Sequence, residues 1–337
     1  MRTFTIAVLA MVAWGLTTDV SAGVGVPPGF VSSFEKALAQ AKKDNKPLYV
    51  HFTTDWCGWC RRIEKDVYAD AKGKEALSAF VAVSLDCSDN APGAKGNKTL
   101  FSKYGGTGYP FLVIIAPDGA VLKSWSGYVQ VDGFVKRLAD VQKTFDRYSE
   151  FQEKAKTADA NDIDFQLEAV DVYLTTKQWA KMDLAAKAVI KLDTDRAHLG
   201  PVKLAQMQAG MAQKNAATIT RLATEIRKLD PENGGNHLED ALKIQADALM
   251  AQANRNTLQA QYKKAHAILT ERAALANLRE PMLAKVEIAM LQANCGKLKD
   301  ARETLEKTLA DDPENPNASD VKDLINRIKQ AEAQQKK

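Results

Sequence analysis

Strand-forming runs occur only in the first part of this chain, and that asymmetry limits what it can fold into. Up to about residue 150, β-branched and aromatic runs alternate with amphipathic stretches. Beyond it Ala, Leu, Lys and Gln dominate, and the remaining periodicity is helical. At 337 residues the chain has room for two domains, each with its own core. The pattern therefore predicts an α/β domain succeeded by an all-α domain, with boundaries at 23–148 and 149–337.

The first 22 residues stand apart from both. Arg2 precedes the apolar run FTIAVLAMVAWGL, and Val20-Ser21-Ala22 supplies the small residues of a cleavage site. The run is shorter than the ~20 residues a bilayer-spanning helix needs, so 1–22 reads as a signal peptide. No Cys stands beside the cut to carry a lipid. The mature chain is then expected outside the cytoplasm, with no membrane segment. Its formal charge is +4, and removing Arg2 and Asp19 leaves that balance unchanged. Lys and Arg are interleaved with Asp and Glu as on solvated helix faces, which gives no basis for a nucleic-acid partner.

In the first domain, Ser32 and Glu35 are spaced as a capping box opening a helix, with Phe34, Leu38 and Ala41 on one face, that ends near residues 45–47. PLYVHFTT reads as a strand running into WCGWC. RRIEKDVYADAKGKEALSAF reads as helix with a break near Gly73, FVAVSLD as a strand, and NKTLFSKYG as a short helix closed by Gly105. PFLVIIA and AVLKSWSG are strands joined by Pro117-Asp118-Gly119, a turn sequence, and so predict an antiparallel hairpin. A long helix, VDGFVKRLADVQKTFDRYSEFQEK, leads out of the domain. This order implies a mixed sheet with helices on both faces.

In the second domain, VIKLDTD, IRKLDPEN and TLADDPEN each close a helix with the same kind of phrase. Their spacing predicts helix hairpins of solenoid repeat length, with a less regular unit around QYKKAHAILTERAALANLREP. In the segment from Leu283 to Pro316, Gly296, Ala301, Leu305 and Pro313 stand where two closely packed helices need small, small, large and terminating residues. That segment resembles a tetratricopeptide repeat.

Chemistry concentrates at Cys57 and Cys60. Two cysteines with two residues between them can close a small disulfide or supply half of a zinc site. Structural zinc needs four ligands, and here Cys87 and Cys295 are isolated and the four His lack paired spacing, so metal is not expected. Placement favours redox chemistry, because Cys57 falls at a helix amino terminus where free N–H groups and the helix dipole lower a thiol pKa. Arg61 and Arg62 come next, in the first turns. They either add to that field or are solvated helix residues. Cys60, one turn in, is the candidate resolving thiol.

The segment PLYVHFTTDWCGWCRR, succeeded by a strand, a short helix and YGGTGYPFLVIIAPDGAVLKSWSGY, resembles a thioredoxin-fold domain over about residues 30–145. It is most similar to exported thioredoxin-like proteins and to the carboxy-terminal thioredoxin-like domain of the periplasmic disulfide reductase. The resemblance implies that Trp56-Cys57-Gly58-Trp59-Cys60 is the family's W-C-x-x-C and that Pro110, after Tyr109, is its cis-proline, which holds substrate backbone near the attacking sulfur. Gly127 corresponds to a glycine beside that groove. Trp56, Trp59, Tyr109 and Pro110 are thereby expected to bind substrate. Where the family places a buried Asp six residues before the first Cys, this chain has His51, and the neighbouring strand lacks the family's Lys. His51 is either a proton relay or a packed core residue. Cys295 reads as a small packed residue, Cys87 as either a small buried residue or a regulatory thiol, and Trp125 either shares a docking surface with Trp56 or packs on the sheet.

Together these readings predict an exported, periplasmic thiol:disulfide oxidoreductase working at CGWC without cofactor or metal. It would act on protein thiols and disulfides and be served by an upstream electron donor, with a protein partner recruited by the helical repeats. The competing class is a non-enzymatic binding protein whose thioredoxin-fold part is a redox-inert platform.

Overall fold

A computed structural model of the protein describes residues 26–335. The predicted signal segment lies outside the described residues. The chain divides into two compact units between Phe145 and Asp146.

The first unit contains α1 (Phe34–Asp44), β1 (Leu48–Thr53), α2 (Gly58–Ile63), a π-helical turn (Glu64–Tyr68), α3 (Ala71–Leu77), β2 (Val81–Asp86), α4 (Ala94–Lys103), β3 (Phe111–Ile115), β4 (Val121–Ser126) and the first part of α5 (Val131–Lys154). Its sheet has four strands in the order β2-β1-β3-β4. β1 pairs parallel with β2 and antiparallel with β3, and β3 and β4 form the predicted antiparallel hairpin. The hairpin turn uses Gly119 at φ 93°, a value that favours glycine, with Asp118 accepting from the Ala120 N–H.

β1 is buried along its whole length, so its alternating side chains serve two cores. Leu48, Val50 and Phe52 join Ala37 and Ala41 of α1, Val83 and Leu85 of β2, and Val113 and Ile115 of β3. Tyr49 and His51 point to the other face. There Tyr49 meets Tyr68 at 6.1 Å and Phe134 at 5.9 Å, both edge to face.

Two local expectations are corrected. The first helix is capped by Ser33, whose Oγ accepts from the Lys36 N–H, and not by Ser32. The break after the CxxC helix falls at Ala69 and Asp70 and not at Gly73. The π-helical turn ends there, with the Ala69 N–H bonded to Glu64 O, and Asp70 caps α3 through the N–H groups of Lys72 and Gly73. Gly73 lies inside α3, and glycine is required there because a Cβ would lie 1.9 Å from the Val67 carbonyl oxygen.

Residues 146–335 are helical throughout apart from their connections: the end of α5, then α6 (Ile163–Thr175), α7 (Trp179–Leu192), α8 (Leu199–Ala212), α9 (Ala216–Leu229), α10 (His237–Ala251), α11 (Leu258–Ala273), α12 (Pro281–Asn294), α13 (Leu298–Asp311) and α14 (Ala318–Gln335). Successive helices pack as hairpins. Three of the turns inside hairpins use one left-handed residue, at Lys177, Lys214 and Gly296. Between hairpins, Asp193 Oδ2 accepts from the His198 N–H and Asp230 Oδ2 from the His237 N–H, each at 2.9 Å. The repeated KLD phrase therefore marks an aspartate that fastens the start of the next helix.

The α10–α11 unit departs from this plan. Glu239, 1% exposed, receives Arg279 Nε, the Arg279 N–H at 3.2 Å and Asn233 Nδ2 at 3.4 Å. Arg272 Nε donates to the Glu239 carbonyl at 3.0 Å and its guanidinium pairs with Glu287 at 2.8 Å. A buried ionic clamp here fastens an irregular connection.

Candidate active site

β1 delivers the chain to the site. It ends at Thr53, the Cys57 N–H bonds to Thr54 O at 3.1 Å, and Ser88 Oγ accepts from the Asp55 N–H at 2.7 Å, so the loop after β2 pins the turn that carries Trp56. Cys57 then caps α2 and Cys60 lies within it. The two are joined as a disulfide with Cα atoms 5.2 Å apart, and Cys57 Sγ accepts from the Cys60 N–H at 3.1 Å. A hydrogen bond to this sulfur favours its ionised form once the disulfide opens. Cys60 is fully buried and Cys57 is 4% exposed, while the flanking indoles of Trp56 and Trp59 are exposed.

The two arginines after Cys60 are engaged by oxygen acceptors of their own. Arg61 Nη1 donates to the Asp55 carbonyl at 2.6 Å, whereas Arg62 Nε binds Asp66 at 3.1 Å. The Tyr109–Pro110 peptide is cis, and Pro110 is buried. The Pro110 carbonyl accepts from the Gly127 N–H at 2.8 Å, which ties the start of β3 to the end of β4. Tyr109 meets Trp56 edge to face at 5.8 Å, so the aromatic beside Cys57 and the residue before Pro110 are in contact. Trp125 lies elsewhere, with Tyr49 at 6.5 Å and Arg137 over its ring at 5.4 Å; of its two readings the sheet-packing one holds.

His51 is fully buried on the face that carries Tyr68, 5.5 Å away edge to face, and opposite Ser84 of β2. Neither ring nitrogen has a hydrogen-bond partner among the described residues. Burial lowers its pKa to about 3, so the ring is neutral at physiological pH. Tyr68 in turn shares a 2.7 Å hydrogen bond with Tyr49, both hydroxyls being buried. Burial raises the pKa of both phenols.

Sequence reading missed Glu64, four residues after Cys60 and so on the same side of the helix. Its Oε1 is buried without a partner among the described residues. Burial raises its pKa, with Arg61 opposing. The sequence signal was a carboxylate one turn beyond the second Cys, at a position the hydrophobic pattern turns toward the core. Of the other cysteines, Cys87 is buried after β2, where burial raises its pKa and the Tyr109 hydroxyl lowers it. Cys295 caps the end of α12 beside left-handed Gly296.

Among the described residues no group of three or more His, Cys, Asp or Glu side chains could hold a metal ion, and no helix is long and apolar enough to cross a membrane.

Residues 34–142 match the family described as "Thioredoxin-like domain". The thiol:disulfide interchange protein DsbD 1 of Pseudomonas aeruginosa is 29% identical over 112 residues, 32% of this chain and 18% of that protein. DsbD 2 of the same organism is 31% identical over 119 residues, 34% of this chain and 19% of that one. The chain thus spans about a fifth of the length of the curated relatives it matches. Among solved structures, a protein described as DsbH oxidoreductase is 23% identical with a TM-score of 0.31, covering 36% of this chain and 92% of that one. The reduced DsbD c-terminal domain of Neisseria meningitidis is 23% identical with a TM-score of 0.28, covering 32% and 91%. Residues 34–142 are a thioredoxin-like domain homologous to the thioredoxin-like domain of DsbD proteins, with a CxxC disulfide between Cys57 and Cys60.

Proposed function

We propose that this protein is an exported thiol:disulfide oxidoreductase that exchanges disulfides with other proteins at Cys57 and Cys60. The observation that carries the reading is the Cys57–Cys60 disulfide at the start of α2, with the Cys60 N–H donated to Cys57 Sγ. In the reducing direction, the Cys57 thiolate attacks one sulfur of a substrate disulfide. The substrate S–S bond breaks, the second substrate sulfur leaves as a thiolate and takes a proton, and a mixed disulfide to Cys57 forms. Cys60 then loses its proton and attacks Cys57 Sγ, which releases the first substrate sulfur as a thiol. The substrate gains two electrons and two protons, and the protein ends as the Cys57–Cys60 disulfide. A dithiol donor must restore it, or the same steps run backwards to oxidise a dithiol.

The buried Cys60 needs a proton acceptor. Glu64, half-buried with its Oε1 enclosed and its pKa raised by burial, suits that task better than His51, which burial makes a weak base. His51 is then a packed core residue of β1 and not the relay. Pro110, Tyr109, Trp56 and Trp59 form the substrate-binding surface.

The remaining parts of the reading concern address and partners. Residues 1–22 act as a signal peptide directing the chain to the periplasm, 23–148 form the catalytic domain, and 149–337 form tetratricopeptide-like repeats that recruit a protein partner. The left-handed turns at Lys177, Lys214 and Gly296 and the aspartate fasteners support a repeated hairpin plan. A Cys60→Ser variant tests the exchange reading. It should accumulate mixed disulfides through Cys57 with thiol proteins of the same compartment, and a variant that traps none contradicts it.

A further inference from the structure

Trp59 is held in place by more than its own backbone. Its ring is 55% exposed and lies 5.7 Å from that of Tyr128, and the Arg62 guanidinium sits over both rings, at 5.5 Å and 5.3 Å. Asp66 Oδ2 receives Arg62 Nε at 3.1 Å and the Tyr128 hydroxyl at 3.3 Å. Two aromatic rings, one cation and one carboxylate thus make a closed assembly behind a side chain that faces solvent. On the other flank Trp56, 69% exposed, is backed by Tyr109. The two backings are fastened to each other, because Tyr109 precedes Pro110, Tyr128 comes after Gly127, and the Gly127 N–H donates to the Pro110 carbonyl.

We propose that Arg62, Asp66 and Tyr128 are positioning residues that fix Trp59 as an apolar wall beside the disulfide. The site thereby selects disulfides in extended polypeptide whose cysteine is flanked by large apolar side chains. The inference rests on the exchange reading and names its substrate class. Three observations support it. A Trp held by a cation–π stack has lost its rotamer freedom before substrate arrives, so contact with it costs less on binding. The Arg62 charge is paired with Asp66, and its guanidinium lies over the Trp59 and Tyr128 rings, so it serves the aromatic wall while its charge is partly offset for any carboxylate-rich small disulfide such as oxidised glutathione. The wall is continuous with the Cys57 turn and with Pro110, so it extends the surface on which exchange takes place.

The test uses the reduced full chain and three probes: oxidised glutathione, a symmetrical peptide disulfide with Phe on both sides of each Cys, and the same peptide with Ser in place of Phe. Exchange rates are measured by acid quench and mass, each divided by that probe's rate with dithiothreitol. The wild-type protein should prefer the Phe peptide over the Ser peptide by about tenfold, equivalent to ~1.4 kcal/mol. Trp59→Ala and Tyr128→Ala should each bring that ratio close to one, and Tyr128→Phe, which keeps the ring, should retain it. The wild-type ratio needs no substitution, so a variant that fails to fold leaves the test standing. A wild-type ratio near one, or a ratio that survives Trp59→Ala, overturns the inference while leaving exchange intact. A wild-type protein that reacts with none of the probes overturns the exchange reading and this inference with it.

Discussion

On β1, His51 is fully buried with neither ring nitrogen hydrogen-bonded to a described residue, whereas in the helical unit the buried carboxylate of Glu239 is held by Arg279 and Asn233. Both positions carry a cost of desolvation, and only the second is offset locally. Glu64 belongs with His51, since its Oε1 is buried and unpartnered among the described residues. Buried polar groups that stabilise a fold are normally satisfied, and those that are not tend to mark sites of chemistry. The Glu239 clamp fits the first description, and Glu64, one turn after Cys60, fits the second.

The contrast can be broken or sharpened by substitution. The largest effect is expected on activity. Cys57→Ser should lower exchange with a peptide disulfide by at least about a thousandfold, because the attacking sulfur is lost. Urea unfolding of the same variant should show that the helical unit is unaffected. Next comes the clamp. Arg279→Ala leaves Glu239 charged and buried, and should cost about 3 kcal/mol in urea unfolding of the full chain, the lower end of the range for breaking a buried pair because Arg279 is itself half exposed. A loss below ~1 kcal/mol would show that Glu239 is not held as described.

His51→Leu should act in the opposite sense, raising stability at pH 7 by about 1 kcal/mol because it removes an unsatisfied polar group. Its pH dependence is the sharper test. The folded state binds a proton at His51 only near pH 3, while the unfolded chain does so near ~6.5. Between those values the unfolded chain holds more protons. The His51 contribution is therefore fully present above pH ~6.5 and is lost as pH falls toward 3, at up to ~1.4 kcal/mol per pH unit. Urea midpoints at pH 4, 5 and 7 should fall more steeply for the wild type than for His51→Leu; equal slopes would mean that His51 titrates in the fold as it does in the unfolded chain. An effect of the same size but opposite sign, a loss of about 1 kcal/mol, is expected for Tyr68→Phe, which removes the hydroxyl pair with Tyr49. It is measured by the same unfolding.

The two units were also unequally legible. The CxxC, the strand before it and the Pro-Asp-Gly hairpin are local signals with chemical reasons, and they place β1, α2, β3 and β4 where the structure has them. The break misplaced at Gly73 was not legible, because a glycine needed for close approach to Val67 looks in sequence like one that ends a helix. Glu64 was hidden for a related reason, since a carboxylate one turn after Cys60 reads as a solvated helix residue until the π-helical turn and the enclosure of its Oε1 are seen. In the helical unit, phrases such as KLDPEN announced the hairpins, and in two of the three the aspartate fastens the next helix, Asp193 to α8 and Asp230 to α10. The Glu239 clamp could not be read in advance. It joins residues forty positions apart, and sequence periodicity carries no information about such pairs.

The most direct measurement is a glutathione redox titration of the full chain, with free thiols alkylated and located by mass at each step. A single reversible two-electron transition confined to Cys57 and Cys60 is predicted, with Cys87 and Cys295 remaining thiols across the titration. If Cys57 and Cys60 form no reversible disulfide, or if the transition instead pairs one of them with Cys87 or Cys295, the site is not the exchange centre described.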